Sequence, residues 1–380
     1  MVKFEIQQEE FQKALDLVVN VVPAKTPMPI LTCVLMEIVG DRLSLSATNL
    51  ENSIVTSTDQ ITVKTEGKIA VPAGKLVPFV RSLRPGKVSV STKDQDIQVV
   101  GGKTRLTEKT MKADEYPALK PLKEKNGFAV DGRILVDMIN DTSYAVSRDE
   151  TRPALMGILW EIRATELNLV ATDAHRLALS KKAMSWDAPG DKDLIVRTSG
   201  LRHLPKIVAA MAENDEGGHP ITIFMSDNQL SFLCGDTILH VQILEGPFPD
   251  YHAVIPSDND KDLTVDKASL IQAIRRVSIT ADRMSSQIRL GIEAGRMELS
   301  ARGTDGSQSE DELEISYDGE PLEIGFNYTY LVDILKNIRT ESVTLSLRDA
   351  QSAALLRPVG DAGEETGVLC LLMPLRLAGE

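Results

Sequence analysis

Apolar and polar residues along this chain keep two periods in alternation, and the alternation itself repeats. Three segments open alike: FEIQQEEFQKALDLV from Phe4, FAVDGRILVDMINDT from Phe128 and LTVDKASLIQAIRRV from Leu263. At offsets of 124 and 135 residues, Phe11, Leu135 and Leu270 coincide, and so do Leu15, Ile139 and Ile274. Each segment predicts a short strand followed by an amphipathic helix. A strand with alternating apolar positions comes after each: DRLSLSAT, ELNLVAT and RMELSAR.

A second half-repeat follows the first. KIAVPAGKLVPFVRSL, DLIVRTSGLRHLPKIV and PLEIGFNYTYLVDIL place Leu76 over Leu201 over Leu331, and Phe79 over Leu204 over Ile334. Alternating segments such as KVSVSTKDQDIQVV and PITIFMSDNQLSFL trail these helices. ADEYPAL in the first copy echoes FPDYHAV in the second. The pattern predicts an α+β chain of three similar domains, each of two strand–helix–strands halves. Polar, turn-rich linkers at PLKEKNG and PSDNDKD set the expected boundaries at 1–125, 126–257 and 258–380. The DNDKD run lacks the glycine and the terminal glutamate of a calcium loop, so it reads as linker.

Composition narrows the class. At 380 residues the chain exceeds what one hydrophobic core organises. It is 42% hydrophobic and 26% charged, a globular balance, and with 4% aromatics its cores must be built from Leu, Ile, Val and Ala. Cys33, Cys234 and Cys370 lie far apart without CxxC spacing, which excludes a disulfide framework and a zinc signature. No signal peptide or membrane span is legible, so a soluble cytoplasmic protein is expected, without cofactor or metal.

Net charge is −13, which by itself argues against a protein that coats nucleic acid. Its distribution argues otherwise. The six helix windows, 9–25, 74–87, 131–148, 200–212, 266–283 and 327–339, carry +7 between them, and everything else −20. In the fifth window Leu270, Ile274 and Val277 mark the apolar stripe, with Arg275, Arg276 and Arg283 opposite. Arg81 and Lys206 likewise stand opposite their stripes. Basic helix faces turned to one place would hold a polyanion there while an acidic exterior repels it, and without aromatics the grip would be on phosphates, indifferent to sequence.

The stretch ATDAHRLAL, Ala171 to Leu179, puts Asp173 beside His175 and Arg176. An acid near an imidazole suggests a general base. The chain offers no GxSxG elbow, no cysteine in a nucleophile context, no metal-ligand spacing and no phosphate-binding glycine loop to go with it. An enzyme acting on DNA or nucleotides through Asp173 and His175, and a repeat scaffold that binds peptides without DNA, are the competing readings.

PMPIL (Pro27 to Leu31), VPAGKL (Val71 to Leu76), RPALMGILWE, ATDAHRLAL, GPFPDY (Gly246 to Tyr251), EIGFNYTYL and the terminal LLMPLRL (Leu371 to Leu377) carry a resemblance. Along essentially its whole length the chain resembles the bacterial DNA sliding clamps, the β subunits of the DNA polymerase III holoenzyme. The resemblance implies a non-catalytic processivity factor: a head-to-tail homodimer closed into a ring around duplex DNA, helices lining the hole and sheets outside. It also implies a peptide-binding groove for the polymerase III alpha subunit, the delta subunit of an ATP-driven clamp loader, translesion polymerases, mismatch-repair proteins and ligase.

Carried over by motif, that groove comprises Leu155, Thr172, Asp173, Ala174, His175, Arg176, Leu177, Pro249, Val254, Ala353, Leu371, Leu372, Met373, Pro374, Leu375 and Arg376, with Asn327 and Tyr330 at its rim. His175 and Arg176 are expected to orient the peptide backbone and its Gln. For DNA, Lys25 matches a basic position facing the hole and Arg148 and Arg152 flank the loop before RPALMG, while Arg81, Arg84, Lys206, Arg275, Arg276 and Lys336 follow from helix geometry. GGKTRLTEK reads as a basic edge strand and QSEDELEIS as an acidic one, so Lys103 and Arg105 are expected to meet Glu310, Glu312 or Glu314 across the dimer seam. Leu106 and Ile279 are placed in the same seam. Two departures stand out: Ala378, Gly379 and Glu380 continue past the MPLRL ending, and Ala253 stands where some members carry Arg.

Overall fold

The strand–helix repeats take shape as the periods dictate. A computed structural model describes residues 2–122, 127–186, 190–212, 220–360 and 366–377. The three first half-repeats form strands Lys3–Gln7, Phe128–Asp131 and Lys261–Asp266, followed by helices α1 (Gln8–Val18), α3 (Gly132–Ser143) and α6 (Lys267–Val277). The second half-repeats form Gly67–Pro72 with α2 (Ala73–Ser82), Lys192–Arg197 with α4 (Thr198–Leu201) and α5 (Leu204–Ala212), and Leu322–Asn327 with α7 (Tyr328–Asn337).

Aligned positions do aligned work. Phe11, Leu135 and Leu270 are fully buried, as are Leu76, Leu201 and Leu331. Phe79 is the exception: it is half-buried, and Val80 takes the core place beside it. The residue before α3, α6 and α7 also repeats a role. Asp131 Oδ1 accepts from the backbone N–H of Arg133 at 2.7 Å, Asp266 Oδ1 from that of Ser269 at 2.7 Å, and Asn327 Oδ1 from that of Thr329 at 2.9 Å. Each cap satisfies a donor that the first helical turn leaves open.

Most helices are shorter than their sequence windows: α2 stops at Ser82, so Arg84 lies in the loop beyond it and not on a helix face, and α7 stops at Asn337. After Val18 the chain tightens into a 3-10 turn over Val19–Val21 and reaches Pro23, which cannot continue a helix, so Lys25 stands in a loop. α3 stops at Ser143, leaving Arg148 in the loop beyond. α6 stops at Val277, and Asp282 Oδ1 draws in the backbone N–H groups of Met284 (3.1 Å) and Ser285 (2.8 Å) to build a turn. Arg283 therefore lies in that turn and not on the α6 face.

The chain divides into two compact units, Met1–Val136 with Val196–Ile243, and Asp137–Ile195 with Leu244–Glu380. The first holds a five-stranded antiparallel sheet in the order Ile61–Thr65, Lys3–Gln7, Lys87–Lys93, Asp96–Gly101, Thr104–Lys109. Its second run of strands passes from Phe128–Asp131 through Pro220–Ser226, Gln229–Cys234 and Thr237–Leu244 to Asn52–Thr58, Arg42–Thr48, Cys33–Val39 and Gly67–Pro72.

The second unit repeats the arrangement. One run passes from Lys261–Asp266 through Ser342–Leu347, Ala354–Pro358 and Val368–Leu372 to Arg176–Ala183, Glu166–Thr172 and Gly157–Ile162. A four-stranded sheet runs Gln308–Glu314, Arg296–Arg302, Gln287–Glu293, Leu322–Asn327. α6 and α7 bury their apolar stripes against these sheets in one core that includes Leu270, Ile274, Leu331, Ile334, Leu356 and Leu372. Among the described residues, no helix is long and apolar enough to cross a membrane.

Candidate functional site

The ATDAHRLAL stretch forms a tight turn between two strands of the second unit. Thr172 Oγ1 donates to the Arg176 carbonyl at 2.7 Å and accepts from the Ala174 N–H at 3.1 Å. Asp173 Oδ1 accepts from the backbone N–H groups of His175 (2.9 Å) and Arg176 (3.0 Å), and Ala174 takes a φ of +76°. The bonds from Thr172 and Asp173 hold Ala174 in a left-handed conformation that a side chain resists. Asp173 thus turns to backbone, and its second oxygen accepts from Arg176 Nε at 3.1 Å. Neither oxygen meets the His175 ring. The Asp173–His175 dyad does not form, and the general-base reading goes with it.

Arg176 is the pivot of this turn. Its side chain is 9% exposed, with Nη1 donating to Asp333 Oδ2 on α7 at 3.0 Å and Nη2 to the Tyr144 carbonyl at 2.9 Å. The guanidinium lies 4.6 Å from the centre of the Tyr330 ring, and His175 stacks on the same ring with centroids 6.0 Å apart. A buried, fork-shaped cation with three oxygen partners holds position. Arg176 therefore braces the turn from beneath, and exposed His175 is the member of the pair that faces solvent.

The apolar face beside the turn follows from strand register. Leu177 sits opposite Leu371, and Leu371 opposite Leu355. Leu159, Val170, Ile195, Leu244 and Tyr251 pack with them, and Ala353 and Phe248 cover part of the edge. Leu372 is different. Side chains alternate along a strand, so Leu372 points into the helix-side core, fully buried, and lines no groove with Leu371. Leu155 is buried, while Val254 (52% exposed) and Met373 (42% exposed) stand open at the surface.

The Met373 N–H donates to the His175 carbonyl at 2.9 Å, which ties the terminal segment to the turn. Pro374 and Leu375 are half-buried, Pro249 and Arg376 exposed, and Asn327 spends Oδ1 capping α7. Ala378, Gly379 and Glu380 lie outside the described residues.

The first unit builds the same turn and not the same floor. Thr48 Oγ1 donates to the Asn52 carbonyl (2.9 Å), Asn49 Oδ1 accepts from the Glu51 and Asn52 N–H groups (3.1 and 2.8 Å), and Leu50 also has a φ of +76°. The rungs that correspond to Leu177, Leu371 and Leu355 are here Ser53, His240 and Ser231. His240 Nδ1 lies 2.8 Å from Ser231 Oγ and 2.6 Å from Gln229 Nε2. One frame occurs twice, and only the second copy carries an apolar row. ATNLENSI, the sequence counterpart of ATDAHRLA, was there to be read and sequence reasoning passed over it.

The basic residues fall into two groups. Lys25, Arg84, Arg148, Arg275 and Lys336 are exposed and have no acid partner among the described residues. Arg81 donates to Asp16 from Nε at 2.8 Å, Arg152 pairs with Asp149 at 2.9 Å, and Arg276 with Asp311 at 2.5 Å. Lys206 Nζ donates to the Asp16 carbonyl at 2.7 Å.

Both predicted edge strands are edges of their sheets: Thr104–Lys109 in the first unit and Gln308–Glu314 in the second. Arg105, Thr107 and Lys109 are on the open face of one, Glu310, Glu312 and Glu314 on that of the other. Leu106 is half-buried, and Ile279 is 83% exposed.

Such a site grips and does not react. The thiol nearest the turn, Cys370, is buried with the Tyr144 hydroxyl donating to it at 3.1 Å, and burial pushes its pKa up to about 12, far from a nucleophile's range. A buried apolar row of Leu177, Leu371 and Leu355, a rigid turn beside it, and exposed Met373 and Val254 at its edge make a surface suited to contact and not to chemistry.

The comparisons with known proteins agree. Residues 2–120, 129–250 and 252–375 match the N-terminal, central and C-terminal domain models of the DNA polymerase III beta subunit. The beta sliding clamp of Caulobacter vibrioides is 33% identical over 99% of this chain and 100% of its own length, and that of Pseudomonas putida 31% over 98% and 100%. A Pseudomonas aeruginosa clamp bound to griselimycin superposes with a TM-score of 0.89 at 30% identity, covering 99% of this chain and 100% of that one. The chain belongs to the beta sliding clamps, the DNA polymerase III beta subunits: processivity factors that encircle DNA and catalyse nothing themselves. Members of this family work as dimeric rings on DNA with the polymerase.

Proposed function

We propose that two copies of this chain close head-to-tail around duplex DNA, and that the Leu177–Leu371–Leu355 row beside His175 is where partners insert a short peptide, Gln followed by apolar residues. The apolar row on a frame whose first-unit copy is polar is the observation that carries this reading. Leu155, Thr172, Ala174, Val254, Pro249, Ala353, Tyr330, Asn327 and the segment from Met373 to Arg376 surround it. A Caulobacter crescentus beta sliding clamp with a TM-score of 0.88 is described with polyethylene glycol bound to its beta-motif tethering region. The alpha subunit of polymerase III, the loader's delta subunit, translesion polymerases, mismatch-repair proteins and ligase are the proposed occupants.

Domain limits of 1–125, 126–257 and 258–380 and a cytoplasmic location belong to the same proposal. The seam pairs the strand containing Arg105, with Lys103 beside it, against Glu310, Glu312 and Glu314 of a second copy, covering Leu106 and the exposed Ile279. Lys25, Arg81, Arg84, Arg148, Arg152, Lys206, Arg275, Arg276 and Lys336 face the phosphates. A plasmid test addresses the ring. Protein loaded on a circular plasmid stays bound and leaves when the DNA is cut once; retention on the linear form refutes the ring. A labelled Gln-led apolar peptide addresses the groove, with anisotropy that must fall when Leu355 is replaced by Ser.

A further inference from the structure

Two of the cations expected to meet DNA are already engaged by the chain itself, and at the same residue. Arg81, on α2, donates from Nε (2.8 Å) and Nη2 (2.5 Å) to Asp16 Oδ1 on α1. Lys206, on α5, donates to the Asp16 carbonyl at 2.7 Å and to Asn20 Oδ1 at 3.4 Å. That carbonyl belongs to the last turn of α1, where open C=O groups carry the negative end of the helix dipole. Asp16 thus presents a carboxylate to one cation and a backbone oxygen to another, within the first unit.

Arg81 remains 48% exposed in this pair and Asp16 24%. The contact is wet and exchangeable, neither a buried structural bridge nor a free cation. Its effect on DNA follows from the source of phosphate affinity. Binding gains free energy as condensed cations leave the duplex, in proportion to the number of phosphates the protein neutralises. An arginine that must first release its own carboxylate gains less, and that carboxylate repels the phosphate it would meet. A protein that has to slide on DNA benefits from this loss.

We infer that Asp16 is an intramolecular counterion that sets the grip of the α1–α2–α5 surface on duplex DNA, keeping it weak enough for movement. The inference rests on the reading of these helix faces as DNA-facing. Arg84 and Arg275, without acid partners among the described residues, supply attraction that this residue does not temper.

The test is the salt dependence of binding to a labelled linear duplex, followed by anisotropy with the full-length dimer. Asp16→Asn keeps an acceptor for Arg81 and removes the charge. It is expected to tighten binding about three- to fivefold at low salt and to steepen the slope of log K against log salt by up to about 0.9. A residue that only stabilised α1 would leave this slope alone. In an Arg81→Ala background the gain must shrink to what the carboxylate's own repulsion of phosphate accounts for, and Arg81→Lys must retain more of it than Arg81→Ala.

If Arg81→Ala and Lys206→Ala weaken binding while Asp16→Asn leaves affinity and slope unchanged, the counterion role is refuted and the DNA-facing surface stands. Should all three variants bind as the parent does, the surface itself is misassigned and the inference falls with it. Circular dichroism and the dimer mass show that each variant is folded.

Discussion

Arg176→Ala removes a buried cation from three oxygen partners, and the cost can be worked from each. Asp173 is 12% exposed at its side chain, so losing Nε at 3.1 Å leaves a nearly buried carboxylate without its cation. It keeps the N–H groups of His175 and Arg176 at 2.9 and 3.0 Å, which spare it the full penalty. The Tyr144 carbonyl loses its 2.9 Å donor. Asp333 is 47% exposed and rehydrates, so its share is small. Breaking a buried pair costs about 3–5 kcal/mol, and the surviving bonds at Asp173 bring the expected loss to about 3 kcal/mol.

Urea unfolding of Arg176→Ala, Asp173→Asn and the double variant measures this, with an expected coupling of about 1.5–3 kcal/mol between the two positions. Arg176→Lys is expected to recover less than half, because an ammonium cannot fork to Asp173, Asp333 and a carbonyl at once. A loss under about 1 kcal/mol with coupling below about 0.5 kcal/mol refutes the brace and returns Arg176 to the role of a direct peptide contact.

Three further outcomes are expected. In the first unit, burial lowers the pKa of both His203 and His240 from 6.5 to about 4, so the unfolded chain binds more protons between those values. Stability is then complete above about pH 6.5 and is lost as the pH falls toward 4, by up to about 3 kcal/mol for each ring, and urea midpoints of His240→Gln against pH must show a shallower fall. Leu355→Ser gives the second unit's row the residue of its first-unit counterpart and is expected to weaken a Gln-led peptide at least about tenfold by calorimetry; unchanged affinity sinks the groove assignment. Reversing Lys103 and Arg105 to Glu is expected to yield monomers in sedimentation, with the dimer restored by Lys at Glu310 and Glu312.

Much of the fold was legible because it depends on local period. Strands alternate every two residues and helices return about every 3.6, so Phe11, Leu135 and Leu270 could be aligned and found in the core without tertiary information. The edge strands at Thr104–Lys109 and Gln308–Glu314 were legible for the same reason, as alternating segments whose exposed charges have one sign. Helix ends were less so. Arg283 left the predicted helix because Asp282 captures the N–H groups of Met284 and Ser285, a competition of a few atoms that a 100° wheel does not register.

The sequence by itself determined the threefold repeat, the order of strands and helices, the concentration of positive charge in the helix windows, and the motifs of a sliding clamp. Only the tertiary structure decided that Leu371 packs with Leu177 and Leu355 while Leu372 faces the helices, that Arg176 reaches Asp333 at 157 residues' separation, and that Arg81 is held by Asp16 at 65. The physical reason is one of range. Backbone geometry imposes its periods between neighbours, whereas the partner of a charge depends on which distant segments the packed sheets and helices bring within about 3 Å.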